Sequence, residues 1–143
     1  MITTVALDLE GTLISNAMSQ IPRPGLRAFL ERCHTLFGRV VIYTAISEPR
    51  FRDIAATLVR EELAPAWFAE IEFVQWDRTT KDLRLIAGTM LAETVLVDDL
   101  REYVHPGQEA QWVPVPQFAA PYSETDDGLA AILVQLEARA RAG

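Results

Sequence analysis

The sequence lacks a second cysteine, a long apolar run and a basic leader segment. Cys33 is the only cysteine among the 143 residues, so the chain cannot form an internal disulfide or a cysteine-based metal site. No apolar run approaches the roughly 18 to 20 residues that span a bilayer. The first residues carry no basic segment of the kind that opens a signal peptide. We therefore expect a soluble protein of the cytoplasm or another reducing compartment, with no membrane partner.

An excess of positive charge is also missing. The formal net charge is -7, and the basic residues are scattered along the chain rather than clustered. This pattern argues against non-specific binding to nucleic acid phosphates or anionic lipids, so we expect no nucleic acid partner. Half of the residues are apolar, which is enough to build a core. We expect a single domain over residues 1–143, without repeats or linkers.

Short apolar segments rich in β-branched residues alternate along the chain with segments of helical period. Strands are predicted over residues 2–7, 39–43, 71–74 and 94–97, with a proline-flanked edge strand over 112–115. Helices are predicted around residues 26–33, 51–58, 83–90 and 129–136. This order predicts an α/β fold in which helices cover an open, mainly parallel sheet. The ligand site of such a sheet lies at the carboxyl ends of the central strands.

Polar residues follow the predicted strands at the points where they end. They are Asp8 and Glu10 after the first strand, Thr44 after the second, Lys81 in the loop that follows the third, and Asp98 with Asp99 after the fourth. Each residue alone is an ordinary turn or helix-capping residue. Their convergence on one edge of the sheet is what indicates a functional site.

Together these residues can carry out phosphoryl chemistry. Carboxylates from two strand ends can share a hard divalent cation such as Mg²⁺, which prefers oxygen ligands. An attacking carboxylate and a phosphoryl group repel each other, and the metal and Lys81 would offset that repulsion. Thr44 and backbone N–H groups near Gly11 would hold the phosphoryl oxygens, because glycine lets the backbone approach closely.

The four features resemble, in the same order, the motifs of the haloacid dehalogenase-like hydrolase superfamily. Within it, the chain is most similar to the capless group of the NLI-interacting-factor and FCP type, which includes small phosphatases of the RNA polymerase II C-terminal domain. The likeness runs from about residue 2 to residue 118, and the segments that carry it are 23–32, 43–45, 81–83, 97–99 and 104–106. The resemblance implies a three-layer α/β/α, Rossmann-like fold without a cap domain.

The resemblance also implies a role for each site residue. Asp8 would be the nucleophile and a metal ligand, and Glu10 would act as general acid and base while its backbone carbonyl binds the metal. Asp99 would complete the Mg²⁺ site, and Asp98 would orient Lys81 or a water on the metal. The substrate would be held by Gly11, Thr44, Ala45 and Lys81.

Two features depart from the family pattern. The family usually has Asp where this chain has Glu10, and a misplacement near 1 Å can cost on the order of a hundredfold in rate. Glutamate nevertheless has the same proton chemistry and the same backbone carbonyl. The second departure is size, because residues 11–37 are already needed for a loop and a helix and leave no room for a cap. An open site would accept a phosphorylated protein side chain or a small phosphate ester, or would use an oligomeric neighbour as a lid.

Three functions are compatible with these residues. The leading hypothesis is a Mg²⁺-dependent phosphomonoesterase that forms an aspartyl phosphate, and the alternative is a weakly active or inactive protein that senses phosphate or binds a partner. Carbon–halogen cleavage by the same nucleophile is less favoured, because dehalogenases do not require the pair Asp98–Asp99. Side chains near Lys81 could line the opening of the site, or could be solvated charges and one packed indole; they are Trp76, Asp77, Arg78, Arg50 and Arg52.

Overall fold

A computed structural model of the chain describes residues 1–76 and 79–142, which form a five-stranded parallel sheet and three α-helices. The strands are β1 (Thr4–Leu7), β2 (Arg39–Thr44), β3 (Glu72–Gln75), β4 (Thr94–Asp98) and β5 (Trp112–Pro114). The helices are α1 (Leu26–Leu36), α2 (Glu48–Arg60) and α3 (Gly128–Arg141). The α/β class predicted from the sequence is confirmed, and in the described residues no cap domain is present.

The strand order is β3-β2-β1-β4-β5, and every pair is parallel. The chain first builds outward from β1 to β2 and β3, then returns to the other side of β1 for β4 and β5. The order therefore reverses between β1 and β4. In open α/β sheets the crevice at such a reversal, beyond the carboxyl ends of the strands, is the usual ligand site.

The main hydrophobic core lies between one face of the sheet and the three α-helices. The helical period predicted for α1 and α2 is confirmed, because Leu26, Phe29, Leu30 and Cys33 are buried and so are Phe51, Ile54, Ala55 and Leu58. From α3, Leu129, Ile132 and Leu136 join the same core, whereas Leu133 is only partly buried. The alternating strand residues that face these helices include Val5, Leu7, Val40, Ile42, Val95 and Val97.

The opposite face of the sheet is covered by short 3₁₀ turns, and the helix predicted over residues 83–90 is wrong. The segment forms a single 3₁₀ turn, Leu83–Leu85, whose first residues are capped by the Asp82 side chain. Leu83 and Ile86 are buried against the sheet, as their spacing requires. Gly88, at φ +76°, lies in a left-handed conformation that ends any helical continuation.

The edge strand predicted over residues 112–115 is present as β5. β5 is an edge strand, paired only with β4 in the described sheet. No helix in the described ranges combines the length and the apolar character needed to cross a bilayer.

Candidate active site

Parallel pairing of the two central strands brings three aspartates together. Leu7 of β1 is in register with Val97 of β4, so Asp8 and Asp98 leave the sheet side by side. The Asp8 amide donates to the Val97 carbonyl at 3.0 Å, which fixes the start of the loop after β1. Asp99 follows directly. The site thus lies at the carboxyl ends of the strands where the strand order reverses.

Lys81, the only lysine in the sequence, enters this cluster from the loop after β3. Its Nζ lies 2.8 Å from Asp8 Oδ1 and 2.6 Å from Asp98 Oδ2, and its side chain is fully buried. The backbone of Lys81 is held by a hydrogen bond from its amide to the Tyr103 carbonyl at 2.7 Å. The ammonium also lies over the Trp76 ring at 5.2 Å from the centroid. Lys81 therefore bridges two of the aspartates from a fixed position.

Two further side chains complete the hydrogen bonding of the aspartates, and sequence reasoning missed both. The Thr12 hydroxyl donates to Asp8 Oδ2 at 2.7 Å and lies 3.4 Å from Asp99 Oδ1. The Gln117 amide donates to Asp99 Oδ2 at 3.0 Å. Thr12 could have been found as the fourth residue after Asp8 in a loop that must turn back on that carboxylate. Nothing in the sequence around Gln117 signals its contact.

The cluster holds more negative charge than Lys81 can balance. Burial raises the pKa of Asp8 to about 7, against the lowering effect of Lys81 and together with the nearby carboxyl of Asp99. Burial also raises the pKa of Asp98 and of Asp99. For Lys81, burial lowers the pKa, but the neighbouring carboxylates of Asp8 and Asp98 outweigh it and raise the pKa overall. Additional positive charge would therefore favour the fully ionised aspartates.

The donor set of the cluster fits a divalent cation. Oxygens of Asp8, Asp98 and Asp99 all lie within 4.8 Å of one another. Carboxylate oxygens are the ligands that Mg²⁺ prefers, and the ion keeps other positions for water and substrate oxygens. Glu10 does not contribute its carboxylate to this set, because Oε2 accepts the Ala17 amide at 2.7 Å. Its backbone carbonyl remains the predicted ligand.

Gly11 is needed at the point where the loop passes closest to Asp99. It lies at φ +76°, and a Cβ on this residue would overlap Asp99 Oδ2. The amide of Gly11 donates to the carbonyls of Ile14 at 2.8 Å and Ser15 at 3.2 Å. In this conformation Gly11 contributes space to the site, whereas its own N–H is already used within the loop.

A cavity of about 280 Å³ opens onto the aspartates. Thr44, buried at the end of β2, lines it, and its hydroxyl accepts the Ile46 amide at 3.3 Å. The structure brings all of the predicted site residues except Lys81 and Asp98 into this lining: Asp8, Glu10, Gly11, Thr44, Ala45 and Asp99. Lys81 and Asp98 are buried and do not line it, and Lys81 Nζ joins them to the site through its contacts with both Asp8 and Asp98.

A second depression, of about 600 Å³, adjoins this cavity. Trp76 and Arg50 line it, as the sequence suggested, and the buried Nε1 of Trp76 has no hydrogen-bond acceptor in the part of the chain that the structure describes. Arg52 does not line it and instead pairs with Glu48 at 2.9 Å. Asp77 and Arg78, predicted at the same rim, lie outside the described residues.

The segment after β5 holds the loop that carries Asp8. The Phe118 amide donates to the Gly11 carbonyl at 2.7 Å. Arg23, whose side chain is fully buried, donates from Nη1 to the Thr12 carbonyl at 3.3 Å and makes two hydrogen bonds to Asp126 at 2.7 and 3.2 Å. The Arg23 guanidinium also lies 5.4 Å from the centroid of the Phe118 ring. Contacts with residues just before α1 and α3 therefore hold the loop after β1 in place.

Comparison with known proteins is consistent with this geometry. A family model described as NLI interacting factor-like phosphatase matches residues 3–142. Among solved structures, an arginine-to-alanine variant of the fission yeast RNA polymerase II CTD phosphatase Fcp1, bound to beryllium fluoride, is similar in fold, with a TM-score of 0.57 and 14% identity. The match covers 98% of this chain and 53% of that one, so the chain spans about half its length. No curated protein matches the sequence.

Proposed function

The chain belongs to the NLI interacting factor-like phosphatases, a family of the haloacid dehalogenase type, and on this premise we propose that it is a Mg²⁺-dependent phosphomonoesterase that is transiently phosphorylated on Asp8. One observation carries the proposal. The Asp8 carboxylate is buried between Lys81 and Thr12, at 2.8 and 2.7 Å, and opens onto a cavity at the carboxyl ends of the central strands.

In the first step, the Asp8 carboxylate attacks phosphorus as the bond between phosphorus and the leaving oxygen breaks. Glu10 gives its proton to that oxygen, so the leaving group departs as a neutral alcohol or phenol. In the second step, Glu10 removes a proton from water as the water attacks phosphorus. The acyl phosphate bond breaks, inorganic phosphate is released, and both side chains return to their starting state.

Lys81 keeps Asp8 oriented and supplies positive charge next to the attacking carboxylate. Mg²⁺ held by Asp8, Asp98, Asp99 and the Glu10 carbonyl would offset the repulsion between the carboxylate and the phosphoryl oxygens. Thr12 holds the second Asp8 oxygen, so the carboxylate meets phosphorus in a fixed orientation. Such pre-positioning reduces the barrier because the reacting atoms need no further alignment.

Oε2 of Glu10 accepts the Ala17 amide, and to act as acid and base Glu10 must bring a carboxyl oxygen within hydrogen-bond distance of the leaving oxygen. Its carboxylate lines the cavity but is bound to that N–H at 2.7 Å. Rotation about the glutamate side-chain bonds would carry the carboxyl group toward the leaving oxygen. The extra methylene relative to aspartate gives Glu10 the reach to use both positions.

The same observation on Glu10 supports a second candidate function. If the carboxylate stays on the Ala17 amide, the site can bind a phosphoryl group but turns it over slowly. The protein would then act as a phosphate sensor or as a partner-binding protein. The two functions differ in whether the native Glu10 supports turnover.

The substrate is proposed to be a phosphorylated protein side chain or a small phosphate ester. The cavity is bordered by exposed depressions, and no cap domain covers it in the described residues. An open site of this kind admits a side chain on a larger molecule. The reaction needs no disulfide, which suits a reducing compartment such as the cytoplasm, and a homo-oligomeric neighbour that covers the site remains a prediction.

Hydrolysis of para-nitrophenyl phosphate, with and without Mg²⁺, tests the proposal. We expect turnover by the parent protein that requires the metal and that Asp8→Asn abolishes. Glu10→Asp keeps the acid–base chemistry but shortens the side chain, so it serves as the comparison for the native Glu10. A parent protein without turnover, together with an active Glu10→Asp variant, would establish the binding function instead.

A further inference from the structure

We propose that the 600 Å³ depression beside the reaction cavity is the leaving-group site, and that it favours an aromatic leaving group that carries a negative charge. The inference rests on the proposed phosphatase function and names the substrate class of that site. It follows from the position of Glu10, from the apolar walls of the depression and from an arginine at its rim.

The depression and the reaction cavity form one continuous surface. Glu10, Ala45, Trp76 and Tyr103 line both of them. Glu10 is the proposed proton donor to the leaving oxygen, and a general acid must come within hydrogen-bond distance of the atom it protonates. The leaving group therefore begins at Glu10 and extends across this shared border into the depression.

The walls of the depression suit a flat apolar group. Trp76 and Tyr103 are packed edge to face, with ring centroids 4.5 Å apart. Their positions are fixed because both rings also contact the buried Lys81 ammonium, at 5.2 and 5.6 Å. Met18, an apolar side chain that is 87% exposed, also lines the depression. Aromatic rings prefer edge or offset contacts with other rings, and thioethers pack well against ring edges.

The rim of the depression carries a positive charge that no carboxylate of the described residues neutralises. Arg50 lines the depression, and its one side-chain hydrogen bond in the described part of the chain is from Nη2 to the Ala17 carbonyl at 3.4 Å. No Asp or Glu among the described residues forms an ion pair with Arg50. Arg52, two residues away, is paired with Glu48 and also donates to the Ala69 carbonyl.

In a chain of net charge -7, an arginine at the mouth of a site that has no carboxylate partner among the residues described favours an anionic ligand group. Arg50 lies on the depression side of Glu10 rather than among the aspartates, so it would meet the leaving group and not the phosphoryl group. The leaving group would thus present its ring to Trp76 and Tyr103 and its negative charge to Arg50.

A pair of substrates isolates the contact between Arg50 and a negative charge on the leaving group. The esters 4-carboxyphenyl phosphate and 4-carbamoylphenyl phosphate have nearly the same shape, and only the first bears an extra negative charge. The quantity measured is kcat/KM for the carboxylate ester divided by kcat/KM for the carboxamide ester. This ratio is compared between the parent and Arg50→Met, because the intrinsic reactivity of each phenol cancels in that comparison. Exposed ion pairs are weak, so Arg50→Met is expected to lower the ratio by about two- to fivefold, mainly through KM.

Arg52→Met is the matched control, since it removes the same charge from the same helix outside the depression. It is expected to leave the ratio as in the parent. An unchanged ratio in Arg50→Met overturns the charge contact. An equal drop in both variants also overturns it, because the effect would then come from net charge alone.

The apolar wall is tested separately with phenyl phosphate. Met18→Ser is expected to raise KM by about threefold with little change in kcat, because it removes apolar contact area from the leaving group. Met90→Ser is the matched control, since Met90 is also exposed and does not line the depression. Equal KM values in the parent and Met18→Ser overturn the assignment of this wall.

Failure of the phosphatase function can be told apart from failure of the leaving-group site. If the parent hydrolyses none of the esters with Mg²⁺, the proposed function is wrong. Calorimetric binding of the two substituted phenyl phosphates to the Asp8→Asn protein then tests the site directly. A preference for the carboxylate ester that disappears when Arg50→Met is added supports the site, and equal affinities contradict it.

Discussion

Arg23 provides a sharp test of how the loop that carries Asp8 is held. Its side chain is fully buried, whereas that of its partner Asp126 is 22% exposed. Arg23→Met keeps most of the apolar volume and removes the hydrogen bonds to Asp126 and to the Thr12 carbonyl. Removing one partner of a buried ion pair costs about 3–5 kcal/mol. Water can still reach Asp126, which also accepts the Gly128 amide, so we expect a loss of about 2–4 kcal/mol.

Urea and thermal unfolding measure this loss. For a chain of this size, each kcal/mol lowers Tm by about 3 °C, so a decrease of roughly 6–12 °C is expected. The pair can be isolated with Asp126→Asn and the double variant, for which we expect a coupling energy of about 1–3 kcal/mol. The control is Arg27→Met, which removes an exposed pair with Glu31 and should cost less than about 1 kcal/mol.

The same substitution should reach the active site through Thr12. Arg23 holds the Thr12 carbonyl, and the Thr12 hydroxyl holds Asp8, so a loosened loop would misplace the Asp8 carboxylate. We expect Arg23→Met to lower kcat about tenfold while KM changes little, at a temperature where the variant is fully folded. A free energy of unfolding for Arg23→Met within 0.5 kcal/mol of the parent value would refute the role of Arg23 in holding the loop. Additive losses from Arg23→Met and Asp126→Asn in the double variant would refute it as well.

The remaining predictions concern the aspartate cluster. Gly11→Ala should fold but weaken Mg²⁺ affinity, measured by calorimetry, because the added Cβ would displace the Asp99 carboxylate. Thr12→Val should lower kcat about tenfold or more in the phosphatase assay, since Asp8 loses a buried donor. In chelator-treated protein, the free energy of unfolding should fall as pH rises from about 4 to 8. The pKa of Asp8 is about 7 in the folded protein, against an ordinary value of 3.8 that applies to the unfolded chain. The folded state therefore binds more protons than the unfolded state in this pH range. This difference stabilises the folded protein at the acid end by up to about 4 kcal/mol. A flat pH profile in urea unfolding would contradict the raised pKa.

Much of the fold could be predicted because the relevant signals are local. The three inner strands, β1, β2 and β4, are short runs rich in β-branched residues that are buried on both faces, and α1 and α2 keep their apolar residues at helical spacing. The same spacing led to a wrong helix prediction at residues 83–90. There Leu83 and Ile86 are buried from a single 3₁₀ turn, because Gly88 and the Asp82 cap favour a turn that the periodicity does not reveal.

The site could be predicted in part for a similar reason. Asp8 and Asp98 end neighbouring parallel strands, so topology alone brings them together. Their roles, and that of Glu10, stay predictions. The contact that holds the loop could not be found in the same way, because Arg23 and Asp126 lie 103 residues apart and meet only through the packing of α1 and α3. Long-range polar contacts of this kind leave no periodic signal in a sequence.

Trapping the phosphorylated protein tests the central claim most directly. The variant Glu10→Gln keeps the shape of the side chain but cannot remove a proton from water, so the second step should become slow. We expect rapid acid quenching of this variant, after mixing with Mg²⁺ and para-nitrophenyl phosphate, to yield one phosphoryl group on the peptide that carries Asp8. Added Asp8→Asn should abolish that modification. Turnover by the parent with no phosphoryl group on this peptide, or with one on another residue, would contradict Asp8 as the nucleophile.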